Sequence, residues 1–151
     1  MQGHFKIKVI ECSTKKILQL VEKENTICKG MYLKIANLLG GDTYGYLRYV
    51  QFGLGNLTAT VIDEQLQSPL SFYVNAGNIS NVNEVPTMAY DEVSFTATLG
   101  STQANGYTIR EAGVLSSDLY LLARATFGGL LKTKDKEFHV EWSFKMQPTN
   151  E

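Results

Sequence analysis

Three full charges stand inside or beside stretches that otherwise alternate apolar and polar residues. Arg110 and Glu111 lie in "YTIREAGVL", and Arg124 lies in "DLYLLARATF". A lone buried guanidinium is costly and calls for a partner. Arg110 and Glu111 are adjacent, so a regular strand points them to opposite faces. The short connection between the two stretches allows them to be hairpin neighbours, which brings Glu111 within reach of Arg124. A bidentate pair there would fix strand register at modest net stability. The rival arrangement turns Arg124 toward a partner chain.

Other chemistry has less to work with. Triad catalysis needs a histidine held by a carboxylate and facing a nucleophile. The two histidines, His4 and His139, fall at terminal or outward strand positions, and the sequence has no Gly-x-Ser-x-Gly elbow. His139 shares its face with Glu137 and Glu141, as on any solvated strand. Cysteine and histidine are too scattered for zinc. Asp63-Glu64 and Asp91-Glu92 are thin as calcium ligands and read as surface turns. "GLGN", from Gly53 to Asn56, lacks the further glycine, the lysine and the following helix of a phosphate loop, and reads as a turn. The sequence therefore assigns no catalytic, cofactor-binding or metal-binding residue.

The elements that must position these charges belong to one domain. A chain of 151 residues with 44% hydrophobic and 19% charged residues can hold a core without disulfides or metal. A net charge of −1 leaves no basic stripe for nucleic acid; Lys15-Lys16 and Lys132–Lys136 read as solvated turns. "MQGHFKIKVIECS" lacks the apolar core of a signal peptide, and no run approaches the ~20 apolar residues of a membrane span. Cys12 and Cys28 fit neither a disulfide framework nor a zinc pattern and read as reduced thiols of a cytosolic assembly compartment.

"HFKIKVIE" alternates as a half-buried strand, and "KKILQLVEKEN" is read as a second strand after the turn "CSTKK". Ile27, Met31, Ile35 and Leu38 then fall on one helical stripe. That predicts a helix over about 26–39, capped by Asn25 or Thr26 and ended by Gly40-Gly41, with Gly30 weakening it. Its apolar face should lie against a sheet. "YGYLRYVQFGLGN" returns to strand chemistry. In "TATVIDEQLQSPL", Thr60 and Asp63 could open a short helical turn that Pro69 ends. The Asn-rich "NAGNISNVNEVP" is an exposed hairpin or a long loop. "EVSFTATL", "YTIREAGVL", "DLYLLARATF" and "EFHVEWSFKM" are strands, the third apolar on both faces as a central strand should be. Together these predict a mainly β domain, an antiparallel β-sandwich of seven or eight strands with one helix. Residues 1–24 would be N-terminal attachment strands, 25–146 the sandwich core and 147–151 a short tail.

The order of these motifs resembles a family of small bacteriophage virion proteins: tail-collar, tail-fibre-associated or head-decoration proteins. The residues that carry the resemblance are "LLGG", "YVQFGLGN", "TATVIDEQLQSPL", "VSFTATL", "TIREAGVL", "LLARATF", "LLKTK" and "VEWSFKM", spanning about Asn25 to Met146. Leu54 departs from the more usual Thr, Val114 from the more usual Leu, and Asn75 to Pro86 is unusually rich in Asn. The resemblance implies a non-enzymatic subunit without cofactor. It would form a trimer or ring and dock on other virion proteins, with no role for nucleic acid or membrane. Positions matching the family motif are Gly53, Gly55, Arg110, Glu111, Gly113, Ala123, Arg124, Phe127, Lys132 and Trp142. Read from their own chemistry, the glycines allow turns and close packing, Phe127 and Trp142 fill the core, and Glu111 and Arg124 set register. Tyr44, Tyr46 and Tyr49 could serve a contact between chains, since Tyr is enriched at interfaces. A second reading is a carbohydrate- or receptor-binding module using Tyr73, Asn75, Asn78 and Asn81.

Overall fold

Alternation decides where β1 (Gln2–Glu11) lies: Phe5, Ile7 and Val9 are buried, while the intervening Lys6 and Lys8 reach Glu141 on the outer face. The computed structural model describes residues 1–42, 45–81 and 91–146. After β1 come β2 (Ile17–Ile27), α1 (Lys29–Leu39), β3 (Leu47–Gly53), β4 (Val74–Asn75) and β5 (Gly77–Asn81). Then follow β6 (Asp91–Leu99), β7 (Thr108–Ser116), β8 (Leu121–Leu131) and β9 (Lys136–Met146). The protein is mainly β, 56% strand, with one helix among the described residues.

The nine strands form one antiparallel sheet in the order β4-β3-β7-β8-β2-β1-β9-β6-β5, nearly closed into a barrel. This differs from the predicted seven or eight strands in two separate layers. The Asn-rich stretch supplies the short β4 and β5, and Ala76 alone joins them. Because β4 and β5 lie at opposite ends of the sheet order, that single residue draws the two ends together. β2 links the halves: it pairs with β1 along most of its length but with β8 only at Thr26 and Ile27. β1 is no appended arm, because it lies between β2 and β9 with a fully buried apolar face.

Aromatic rings fill the interior. The Phe5 ring meets Trp142 edge-on at 4.8 Å and stacks on Phe127 at 5.5 Å, and Phe95 and Phe144 complete the group. Burial of such rings is the main favourable term available to a sheet of this kind. Trp142 also donates its indole N–H to Asn25 Oδ1 (3.0 Å), so Asn25 serves the core and not a helix cap.

The helix begins at Lys29, three residues later than the stripe suggests. Thr26 and Ile27 are held extended by pairing with Arg124 and Ala123 of β8, and Cys28 takes the N-cap position without a side-chain cap bond. At the other end Gly41 adopts φ 101° and donates its N–H to Leu38, the left-handed ending that Gly40-Gly41 predicts. As predicted, the apolar stripe lies against the sheet: the helix packs on β8, and Met31 and Ile35 join the main core. Met31, Ile35 and Leu38 line a recess with Leu47, Leu122 and Phe144, so the helix covers one end of the barrel. Gly30 has a reason to be small: a Cβ there would fall well inside contact distance of the Leu121 carbonyl oxygen.

Gly30→Ala therefore sets two effects against each other. Helix propensity favours Ala by up to about 1 kcal/mol, and overpacking against β8 costs about 1–3 kcal/mol. The expected outcome is a lower urea midpoint. A midpoint above that of the unaltered protein would show that the helix is free to move away from β8.

Candidate functional site

Glu111 on β7 and Arg124 on β8 do meet. The strands pair Glu111 with Thr126 and Gly113 with Arg124, so the two charges are diagonal neighbours. Arg124 Nη2 donates to Glu111 Oε2 at 3.1 Å, with Arg124 2% and Glu111 0% exposed. The contact is single where the sequence suggests a bidentate pair. The reason is a third charge: Arg124 Nη1 donates to Asp63 Oδ2 at 2.9 Å, and Nη2 also donates to the Leu57 carbonyl oxygen at 2.9 Å. The other oxygen of Glu111 accepts the Ser68 N–H at 3.1 Å. Arg124 thus faces its own chain and not a partner's.

Asp63, Leu57 and Ser68 all belong to the segment between β3 and β4. That segment crosses the outside of the sheet and returns beside the end of β3, where Leu54 donates its N–H to the Ser68 carbonyl and Gly53 bridges Pro69. The motif glycines make room for this arrangement. A Cβ on Gly53 would lie 2.6 Å from Glu111 Oε1, and one on Gly55 would collide with Glu111 Oε2. A Cβ on Gly113 would lie 2.8 Å from both Leu66 and Leu121. Leu66 drops from the segment into that space and joins Cys28, Leu115 and Leu121 in a small second core. Gly53, Gly55, Glu111, Gly113 and Arg124 are therefore parts of one latch.

Asp63 is the residue that sequence reasoning missed as a partner. Its signal was present as Thr60-x-x-Asp63, read as the start of a helical turn. Asp63 instead accepts the Thr60 N–H (2.9 Å) and hydroxyl (2.8 Å), which closes a turn and aims the carboxylate at Arg124. Burial pushes the Asp63 carboxyl up, but the Thr60 hydrogen bonds and Arg124 outweigh it and hold the carboxyl below its ordinary value of 3.8. Burial, with Asp63 adding, pushes the Cys28 thiol up to about 12, so it stays a neutral packing group. Both Cys12 and Cys28 are free thiols.

The remaining matched residues lie elsewhere. Lys132 is not part of a solvated turn: it is 0% exposed, and its ammonium donates to Asn105 Oδ1 (2.8 Å) and the Thr133 carbonyl (3.0 Å). Burial lowers its pKa, and its contacts fix the turn between β6 and β7. Arg110 is half-buried, reaches the Thr108 carbonyl (3.4 Å) and takes no part in the latch. Phe127 and Trp142 pack in the main core. Tyr46 and Tyr49 come together through Arg48, which donates to the Tyr46 hydroxyl and stacks on Tyr49, and Tyr73 joins them at 5.3 Å from Tyr49. Tyr44 lies outside the described residues. His4 pairs with Glu22 and His139 with Glu137, each between exposed or half-buried side chains. Among the described residues, no three His, Cys, Asp or Glu side chains are grouped to hold a metal.

In the latch the two terminal nitrogens of Arg124 and both carboxylates are engaged with one another and with backbone, while Arg124 Nε is buried without a hydrogen-bond partner, and these contacts hold the segment against the sheet. Outward from it project Leu57, Val61 and Ile62, 61%, 56% and 74% exposed. The chain matches no protein-family model, no curated protein and no solved structure.

Glu111→Gln should destabilise the fold by about 3 kcal/mol, the lower end for breaking a buried pair, because Asp63 still faces Arg124. Equilibrium urea unfolding reads this, and an unchanged midpoint would mean that the pair contributes little. Asp63 gives a pH signature. Its folded-state pKa is depressed, so its contribution is complete above the ordinary 3.8 and fades as pH falls through the lower folded value. The stability gap between the unaltered protein and Asp63→Asn should be widest at neutral pH and narrow below about pH 4. A gap independent of pH would remove the charge from the explanation.

Proposed function

We propose that the protein is a non-enzymatic structural subunit of a bacteriophage particle. It self-associates, as a trimer or ring, and docks on other virion proteins in a tail, collar, fibre-associated or head-decorating position. Its place is the virion, assembled in the host cytoplasm. The observation that carries this reading is the latch. Charged residues of the motif are buried to hold a segment whose outward side chains are large and apolar, and such surfaces mark contacts with other proteins. Leu33 and Leu39 on the helix extend the same character. The motif resemblance supplies the particle. In this reading the barrel is a flattened sandwich, with β5-β6-β9-β1 in one layer and β4-β3-β7-β8 in the other. The stacking of Phe5 of one layer on Phe127 of the other supports it.

A carbohydrate- or receptor-binding role has one observation in its favour. Asn78 lines a polar groove of about 310 Å³ with His4, Lys6, Thr96 and Glu141. Against it, Trp142 is buried and Tyr73 is engaged with Tyr49. Binding on a glycan array would favour this second reading.

Mass analysis of purified particles should find the chain at fixed stoichiometry, in many copies for a head shell and in few for a tail structure. Its absence from particles would overturn the proposal. Ile62→Lys changes an exposed side chain, so it should leave stability within about 0.5 kcal/mol while lowering incorporation into particles lacking the native subunit. Normal incorporation would remove the apolar segment from the docking surface.

A further inference from the structure

The ladder between β7 and β8 runs one step past the ends of the two strands. Gly106 donates its N–H to the Lys132 carbonyl (2.8 Å), and Lys132 donates its own to the Tyr107 carbonyl (2.9 Å). Two backbone bonds thus hold the turn that carries Asn105 against Lys132. The Lys132 side chain is buried, and its Nζ donates to Asn105 Oδ1 at 2.8 Å and to the Thr133 carbonyl at 3.0 Å. The Asn105 amide is also held from its other end, because Nδ2 donates to the Ser101 carbonyl at 2.8 Å. Both acceptors of Lys132 are neutral oxygens, and among the described residues no carboxylate forms an ion pair with it. A buried ammonium without an opposite charge beside it is costly. Burial is the largest influence on this group and lowers its pKa, which raises the share of neutral amine, while Cys12, Glu137 and Asp135 act in the opposite direction.

We infer that Lys132 and Asn105 form an intramolecular isopeptide bond. Lys132 Nζ, as the neutral amine, attacks Asn105 Cγ, the carbon that carries the oxygen it already touches. The Nζ–Cγ bond forms and the Cγ–Nδ2 bond breaks. One proton passes from Nζ to Nδ2, which leaves as ammonia. Oxidation states are unchanged and no co-reactant is needed. Asn105 is exposed, so the ammonia has a way out to solvent. An Asn-Gly sequence can react differently, by attack of the glycine nitrogen on the asparagine side chain. Here the Gly106 N–H is committed to the Lys132 carbonyl, and the amine is the nucleophile held at the amide. The product is a neutral amide, so the buried charge is removed. The bond closes a covalent ring around β7 and β8, the strands that carry Glu111 and Arg124, and such a link stabilises a fold by restricting its unfolded chain. It is independent of the assembly reading.

Intact-mass analysis of the purified full-length protein should read about 17 Da below the mass of the sequence, the ammonia lost in a covalent modification of this kind. After proteolysis, the peptide carrying Asn105 should be found joined to the peptide carrying Lys132. Lys132→Arg keeps a positive charge without the nucleophile, and Asn105→Ala keeps the amine without the amide it attacks. Both variants should show their full sequence mass and no joined peptides. If Lys132→Arg fails to fold, Asn105→Ala, a change at an exposed position, and the joined peptides decide. A full sequence mass that persists after prolonged incubation of the folded protein at mildly alkaline pH would overturn the bond. So would a mass loss that survives in Lys132→Arg. Cleavage of the chain by hydroxylamine between Asn105 and Gly106 would overturn it too, since that marks a cyclic imide made by those two residues alone.

Discussion

A guanidinium cannot be left alone in a protein interior, and much of this architecture is arranged to satisfy Arg124. The side chain leaves β8 on the outer side of the sheet, where β7 offers Glu111 and a long connection offers Asp63 and the Leu57 carbonyl. An apolar residue of similar volume would avoid the desolvation cost. What the charge adds is direction: hydrogen bonds from a planar fork fix where the connection crosses, which nonpolar packing would not. The glycines at 53, 55 and 113 follow from the same demand, since side chains there would occupy the space of Glu111 or Leu66. Residues that look unrelated in sequence are thus consequences of one buried positive charge.

The second organising element is β2. It belongs to β1 for most of its length and to β8 for two residues, so it is the narrow seam between the two halves of the sheet. The helix follows directly. Its first turn is pressed against Leu121 at Gly30, and its apolar stripe packs on the sheet core beside Leu47, Leu122 and Phe144. The position of the helix is therefore set by where β2 joins β8.

Strand alternation made most of the sheet legible. Phe138, Val140, Trp142 and Phe144 are buried as their spacing predicts, and so are Phe95, Ala97 and Leu99. The Glu111–Arg124 contact was legible because both charges sit in apolar strands joined by a short turn. Asp63 was not, since its partner lies 61 residues away and local pattern says nothing of where a polar connection lands. The helix start was misplaced because Ile27 suits a strand and a helical stripe equally, and pairing with Ala123 settled it. Lys132 in a lysine-rich turn has the composition of an exposed residue; only the fold around Asn105 and Thr133 shows that it is buried. Barrel closure was beyond reach of periodicity, which reports faces and not the order of strands.

That order carries a cost during synthesis. β9 lies between β1 and β6, so the two strands it joins leave the ribosome early and midway and wait, unpaired on those sides, for the last strand to emerge. Until then the rings of Phe5 and Phe95 lack the Trp142 surface that separates them from water. Both aromatic surfaces are therefore completed by one strand, and a chain whose β9 has not paired keeps them open to misassociation.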